Sequence, residues 1–150
     1  MPHFQAISIE GLEKDLQAAY DWLQGHNKIQ AGSIAALGFC LGGRVAFVAN
    51  TCLPLKAAIS YYGGGTHNLT DRASHLQSPH LFFWGGKDQH IKADHIASVK
   101  EALIAAQKDF INVEISYADH GFFCNQRGSY HSKAAMESWA LTKSFLANNL

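Results

Sequence analysis

The sequence predicts an α/β fold of three layers, in which helices cover both faces of a mainly parallel sheet. Two observations predict it. Short apolar runs alternate along the chain with longer segments of helical periodicity, and the runs lack the polar alternation of strands with one solvent-exposed face. Such a sheet binds its ligands at the carboxyl ends of its strands. We therefore expect functional residues directly after the strands.

The elements follow in the order helix, strand, helix, strand, strand, helix, strand, helix. Apolar residues at helical spacing predict a first helix over residues 10–25, which Gly25 is well placed to end. Helical patterns predict three further helices, at 41–50, 93–107 and 132–147. Apolar runs predict strands at 33–39, 55–62, 80–84 and 112–117. The glycines at 63–65 are too few for a linker, so we expect one domain over residues 1–150.

The composition argues against several classes of protein. The chain has 150 residues, of which 47% are hydrophobic, so it can bury a continuous core. Its 12 basic and 12 acidic residues cancel without forming a basic cluster, which argues against nucleic-acid binding. No apolar stretch approaches the roughly 20 residues of a membrane span. Three cysteines without a CxxC spacing favour a reducing, cytoplasmic setting. The nine histidines form no metal-binding motif, and we expect neither a metal nor a cofactor.

Residues 38–43, Gly-Phe-Cys-Leu-Gly-Gly, match the nucleophile-elbow pattern, in which the nucleophile occupies a strand-to-helix turn between two glycines. Gly38 and Gly42 would let the strand and the helix approach each other closely around a strained turn. A helix N-terminus would favour the thiolate of Cys40, and the backbone N–H of Leu41 would face a developing oxyanion. The alternative is that Cys40 is a small core residue before an ordinary turn.

Two more candidate residues also follow predicted strands. Asp88 comes after the strand at 80–84 and a glycine pair, and His120 comes after the strand at 112–117. Taken alone, Asp88 is more typical of a turn or helix cap, and His120 of a loop histidine. Together with Cys40 they give the order nucleophile, acid, histidine, which is the order in α/β-hydrolases. The pattern predicts a Cys-His-Asp triad.

Several motifs resemble the dienelactone hydrolase family. They are the elbow at 38–43, Tyr61-Tyr62-Gly63, Gly85-Gly86-Lys87-Asp88, His120-Gly121-Phe122, and the pattern of Tyr130, Ala134-Ala135 and Trp139. The resemblance implies a truncated α/β-hydrolase fold in which Cys40 attacks an ester or lactone and forms a thioester acyl-enzyme. It further implies that His120 is the base and then the acid, and that Asp88 orients its ring.

The resemblance also suggests substrate contacts. Tyr62, Trp84, Phe122 and Arg127 are candidates, although aromatic residues at strand ends more often belong to the core edge. The family's best-studied members carry a substrate-binding arginine four residues after the histidine. Cys124 stands there in this sequence, and Arg127 follows three residues later. Either Arg127 binds an anionic substrate, or the protein does not select anionic lactones.

The family's proteins begin with several strands ahead of the helix that opens this chain, and those strands supply a second oxyanion donor. Without them one edge of the sheet would be unpaired. We therefore expect a homo-oligomer or a complex with a separate N-terminal piece, unless the chain is a fragment of a longer product. The leading hypothesis is a hydrolase that is complete after association. The alternatives are a non-catalytic truncated relative that acts as an interaction module, and a thiol-based redox or acyl-carrier protein.

Overall fold

The computed structural model describes residues 7–150, and its elements follow the predicted order. The helices are α1 (Ile9–Gly25), α2 (Leu41–Cys52), α3 (Ala93–Ala105) and α4 (Ser132–Asn149), and the strands are β1 (Ala35–Phe39), β2 (Ala57–Tyr61), β3 (His80–Gly85) and β4 (Phe110–Ile115). A 3₁₀ segment at Thr66–His75, which the sequence did not predict, connects β2 to β3. Within residues 7–150, no helix has the length and apolar character that crossing a bilayer requires.

The four strands form one sheet in the order β1-β2-β3-β4, and every neighbouring pair is parallel. Phe39 at the end of β1 lies opposite Tyr61, which in turn lies opposite Phe83. This register brings the carboxyl ends of the strands to one edge of the sheet. The predicted parallel sheet is confirmed, and the loops that follow its strands lie near one another.

Alternate side chains of β2 reach opposite layers of helices. On one face, the Ser60 hydroxyl donates to the backbone oxygen of Gly43 in α2, at 2.6 Å. On the other face, the hydroxyl of Tyr61 is hydrogen-bonded to that of Thr142 in α4, at 2.7 Å. Helix α1 packs on α2, and α3 packs on the 3₁₀ segment. The predicted three layers are therefore present.

Burial separates the inner strands from the outer ones. All residues of β2 and β3 are buried, whereas Leu37 in β1 is 38% exposed and Ile111 in β4 is 50% exposed. Among residues 7–150, β1 pairs with β2 alone and β4 with β3 alone, so each outer strand has one open edge. Strand β4 begins and ends two residues before the predicted bounds of 112–117. It begins earlier because Phe110 pairs with His80, and it ends earlier because the chain turns after Ile115.

Candidate active site

The turn between β1 and α2 carries Cys40 in a strained conformation. Cys40 has φ 55° and ψ −116°, a combination that residues with a Cβ rarely adopt. Its backbone N–H donates to the Tyr61 oxygen at 2.9 Å, which fixes the turn to the end of β2. Its own backbone oxygen accepts from the N–H groups of Gly43 and Arg44. The turn therefore has the geometry that a nucleophile elbow requires.

Two glycines allow the close approach at this turn, but they are not the predicted pair. A Cβ at Gly38 would lie 1.9 Å from the Gly42 oxygen, so residue 38 must be glycine. A Cβ at Gly42 would meet no atom within 4 Å, so the packing role predicted for that residue is wrong. Gly43 has that role, because a Cβ there would lie 2.7 Å from the Tyr61 oxygen.

The structure brings Cys40, His120 and Asp88 into one hydrogen-bonded relay at the carboxyl edge of the sheet. His120 Nε2 lies 3.2 Å from Cys40 Sγ, and His120 Nδ1 lies 2.7 Å from Asp88 Oδ2. The other Asp88 oxygen accepts from the backbone N–H groups of His90 at 2.7 Å and Ile91 at 3.0 Å. These bonds hold the carboxylate in place and direct it at the imidazole.

The relay shifts the pKa values of His120 and Asp88 in opposite directions. The hydrogen bond that His120 donates to Asp88 raises the pKa of His120 to about 9, against the lowering effect of burial and with a smaller rise from Cys40. Burial acts to raise the pKa of Asp88, but hydrogen bonds from His120, His90 and Ile91 outweigh it and lower that pKa. At neutral pH the pair is therefore an imidazolium facing a carboxylate.

Leu41 is the first residue of α2, and its backbone N–H follows directly on Cys40 in the chain. An N–H in the first turn of a helix has no intrahelical acceptor. Within residues 7–150 the Leu41 N–H also has no acceptor from a loop or a side chain. It is therefore available to an oxygen atom that develops charge beside the sulfur.

Three of the four residues predicted to contact a substrate lie around His120. The Tyr62 ring is 5.1 Å from the imidazole, centroid to centroid, and Phe122 packs edge-on against Tyr62 at 5.2 Å. Burial raises the pKa of Tyr62, so its hydroxyl keeps its proton. Arg127 is exposed, and its Nη1 would lie 3.2 Å from a Cβ at Gly121, the residue after His120.

Trp84 lies away from this group. It is 2% exposed and stacks on Phe82, whose face of the sheet packs against α2. Its indole N–H donates to Asn112 Oδ1 at 2.7 Å, so its only polar group is already paired. This core position and the paired N–H give no support to the prediction that Trp84 contacts the substrate.

Two neighbours of the relay, His90 and Cys124, were not among the predicted site residues. The His90 ring lies 5.5 Å from that of His120, and its backbone N–H holds Asp88. Position i+2 after an aspartate in a loop is where such a backbone contact is expected, so a signal existed. Cys124, at the position of the family's arginine, lies near enough to Tyr62 to affect its pKa. In the part of the chain from 7 to 150, no three or more His, Cys, Asp or Glu side chains are arranged so that they could hold a metal ion.

Three comparisons relate the chain to known proteins. The sequence profile described as the dienelactone hydrolase family matches residues 3–150. A Yersinia pestis protein named "Putative carboxymethylenebutenolidase" is 35% identical over 134 residues, which are 83% of this chain and 50% of that protein. The crystal structure of a "Putative Dienelactone Hydrolase" from Klebsiella pneumoniae superposes with a TM-score of 0.89 at 30% identity, covering 96% of this chain and 63% of that one.

A dienelactone hydrolase-like promiscuous phosphotriesterase from metagenomic libraries shares the fold, with a TM-score of 0.85, 23% identity, and coverage of 92% of this chain and 61% of that one. The chain spans about half the length of the curated relatives it matches. The profile match covers the described relay and all four strands. By these findings the chain belongs to the dienelactone hydrolase family.

Proposed function

We propose that this chain carries the catalytic triad of a hydrolase that cleaves an ester or lactone through a thioester acyl-enzyme. The observation that carries the proposal is the continuous relay from Cys40 Sγ through His120 to Asp88, with distances of 3.2 and 2.7 Å. A nucleophile, a base within hydrogen-bond reach and a carboxylate that orients the base form the constellation of nucleophilic acyl transfer.

In the proposed mechanism, the Cys40 proton is held by His120 while the sulfur attacks the substrate carbonyl. The Leu41 N–H donates to the oxyanion that forms. When the tetrahedral intermediate collapses, the C–O bond to the leaving group breaks and His120 returns the proton to the alkoxide. Water then attacks the thioester, His120 accepts a proton from it, and the C–S bond breaks to release the acid. Asp88 holds the ring throughout and stabilises the imidazolium.

We further propose that Arg127 binds a carboxylate of the substrate beside His120, where Tyr62 and Phe122, which are 2% and 0% exposed, pack next to the imidazole. Arg127 is exposed, lies over the residue after the base, and has no carboxylate partner within residues 7–150. An arginine fork suits bidentate binding of a carboxylate. This arrangement favours lactones or esters that carry a negative charge.

The Arg127 proposal predicts a substrate-dependent effect. Arg127→Gln should raise KM for an anionic dienelactone about 10-fold, because the variant loses the binding free energy of a charge-assisted hydrogen bond. The neutral ester p-nitrophenyl acetate is the matched control, and its KM should change little. Equal changes for both substrates would show that Arg127 supports the loop rather than binding charge.

The open edge of β1 supports a requirement for association. A row of unpaired backbone groups beside the half-exposed Leu37 favours pairing with another strand. We propose that the active species contains an added strand beside β1, supplied by a second copy of this chain or by a further segment, and that the added strand brings the second oxyanion donor. The three cysteines are free thiols, which supports a reducing, cytoplasmic setting.

The first experiment measures hydrolysis of p-nitrophenyl acetate and dienelactone by the purified chain, beside Cys40→Ala and Cys52→Ala. Cys52 is the matched control, since it is another free, partly buried thiol at the far end of α2. Turnover should vanish in Cys40→Ala and persist in Cys52→Ala. If the parent chain turned over substrate no faster than Cys40→Ala, the result would contradict the proposal and favour a non-catalytic relative.

Light scattering of the same samples tests association. Leu37→Lys should dissociate an oligomer built on β1, while Ile111→Lys, on the other open edge of the sheet, should leave it intact. The reverse result would place the association at β4. Both residues are exposed apolar side chains on outer strands of the same sheet, which makes the second a control for the added charge. A monomer that turns over substrate would show that the site needs no added segment.

A further inference from the structure

A series of buried hydrogen bonds connects the interior of the sheet to the first turn of α2. His80 in β3 is fully buried, and its Nε2 lies 2.8 Å from the hydroxyl oxygen of Ser60 in β2. That hydroxyl lies 2.6 Å from the backbone oxygen of Gly43. On the other side of the ring, His80 Nδ1 lies 3.3 Å from the side-chain nitrogen of Asn50. The proposed mechanism uses none of these three side chains.

The partners fix the direction of every bond. Asn50 Oδ1 accepts from the Ser78 backbone N–H and hydroxyl, so the Asn50 amide nitrogen faces His80 and donates to Nδ1. Ser60 has one hydroxyl hydrogen, and the Gly43 oxygen can only accept, so Ser60 donates there. Ser60 must then accept from His80 Nε2–H. The imidazole is therefore neutral, with its proton on Nε2.

Electrostatics agrees with this assignment. Burial lowers the pKa of His80 to about 3, so the ring stays uncharged across the physiological range. A second proton on Nδ1 would face the N–H group of Asn50 and have no acceptor. Neither change of charge nor change of tautomer can occur without breaking a buried bond.

Two successive residues of β2 attach the elbow to the sheet. The Tyr61 oxygen accepts from the Cys40 N–H at 2.9 Å, and the Ser60 hydroxyl donates to the Gly43 oxygen at 2.6 Å. These contacts lie on either side of Leu41. We propose that Ser60 and His80 are positioning residues, which fix the first turn of α2 and thereby place the Cys40 sulfur and the Leu41 N–H. The inference rests on the proposed role of Cys40 as nucleophile.

The test uses three variants. Ser60→Ala removes the contact with the Gly43 oxygen, and His80→Leu removes the imidazole that orients the Ser60 hydroxyl. His80→Gln keeps an amide N–H that can donate to Ser60. Thr142→Val is the matched control, because it removes a buried hydroxyl bond on the opposite face of the same strand. The readouts are the rate of Cys40 alkylation by iodoacetamide against pH, kcat and KM for p-nitrophenyl acetate, and the melting temperature.

We expect Ser60→Ala and His80→Leu to slow alkylation at neutral pH on the order of 10-fold and to move its profile to higher pH, since small displacements of a catalytic group are costly. The value of kcat should fall by a similar factor with KM unchanged. His80→Gln should restore most of both. Thr142→Val should lower the melting temperature and leave the alkylation profile as it is in the parent protein.

An alkylation profile that stays unchanged in Ser60→Ala and His80→Leu, despite a lower melting temperature, would overturn the proposal. Because alkylation requires no substrate turnover, this result differs from failure of the proposed hydrolase activity. Nitrogen-15 NMR of the unsubstituted protein gives a test that depends on no variant. A neutral His80 with its proton on Nε2 supports the network, and a proton on Nδ1 overturns it.

Discussion

His120 and His80 occupy two regions of one sheet with opposite electrostatics. His120 lies at the carboxyl edge, where Asp88 contacts its Nδ1 at 2.7 Å and its pKa is raised to about 9. His80 lies in the interior between β2 and α2, where its partners are a hydroxyl and an amide and its pKa is lowered to about 3. The same side chain is thus an imidazolium at neutral pH in one region and a neutral hydrogen-bonding group in the other.

Burial alone does not explain this difference. The His120 side chain is only 14% exposed, so it also loses most of its hydration. The decisive contrast is a carboxylate partner at one ring and uncharged partners at the other. A nearby opposite charge favours the protonated ring by more than burial disfavours it. Removal of that charge should make the first region resemble the second.

Asp88→Asn is the largest predicted perturbation of this comparison. The amide cannot stabilise an imidazolium, so the pKa of His120 should fall, because the largest cause of its rise is removed and burial then opposes only the contribution of Cys40. Turnover should fall by about 10³- to 10⁴-fold, as when the acid of a triad is made neutral. NMR titration of His120 and steady-state kinetics measure the two effects.

Asp94→Asn is the control for the Asp88 variant. Asp94 is exposed and lies 4.0 Å from His95, so the same chemical change there removes a charge near a histidine outside the relay. It should alter neither turnover nor the titration of His120. If His120 kept its raised pKa in Asp88→Asn, the carboxylate could not be the origin of the difference between the two histidines.

The second prediction concerns stability in acid. The unfolded chain takes up a proton on His80 near its ordinary pKa of 6.5, whereas the folded chain does so only near pH 3. Stability that depends on neutral His80 is therefore complete above pH 6.5 and is lost as the pH falls below it. The expected loss is about 1.4 kcal/mol per pH unit, or about 2 kcal/mol between pH 6.5 and 5.

Urea unfolding of the parent protein and His80→Leu between pH 5 and 8 measures this loss. The leucine variant should be less sensitive to acid, because it carries no group at position 80 that must stay uncharged. The difference between the two slopes isolates His80 from the other eight histidines of the chain. Parallel slopes would mean that the interior of the sheet accepts a charged imidazole.

The two regions also differ in what the sequence could predict. Cys40, Asp88 and His120 each follow a strand, and in a parallel sheet that position suffices to place them at one edge. The elbow pattern added the strained turn, which occurs at Cys40 as expected. The pairing of Asp88 with His120 could be predicted because topology, rather than side-chain packing, brings the two residues together.

The hydrogen-bond network in the interior of the sheet could not be predicted in the same way. Asn50, Ser60 and His80 lie in three different elements, and nothing in their spacing shows that their side chains meet. The 3₁₀ segment was missed because Thr66–His75 is largely polar and short of apolar periodicity. The surroundings of Trp84 could not be predicted either, because strand periodicity does not tell which face of a doubly covered sheet meets the core and which meets a pocket.

The smallest predicted effect concerns the contribution of Cys40 to His120. The sulfur raises the pKa of His120 through its hydrogen bond and its charge, but each is a smaller cause than the hydrogen bond to Asp88. Cys40→Ala should therefore lower the pKa of His120 less than Asp88→Asn does. A raised histidine pKa stabilises the folded chain fully below pH 6.5, and this stabilisation is lost as the pH rises through about 9.

Cys40→Ala should accordingly move that alkaline loss to a lower pH, and Asp88→Asn should move it to a pH lower still. NMR titration of His120 and urea unfolding between pH 6 and 10 measure both in the same three proteins. If Cys40→Ala lowered the pKa of His120 as far as Asp88→Asn, the sulfur would be the main partner of the imidazole. The carboxylate would then orient the ring without setting its charge.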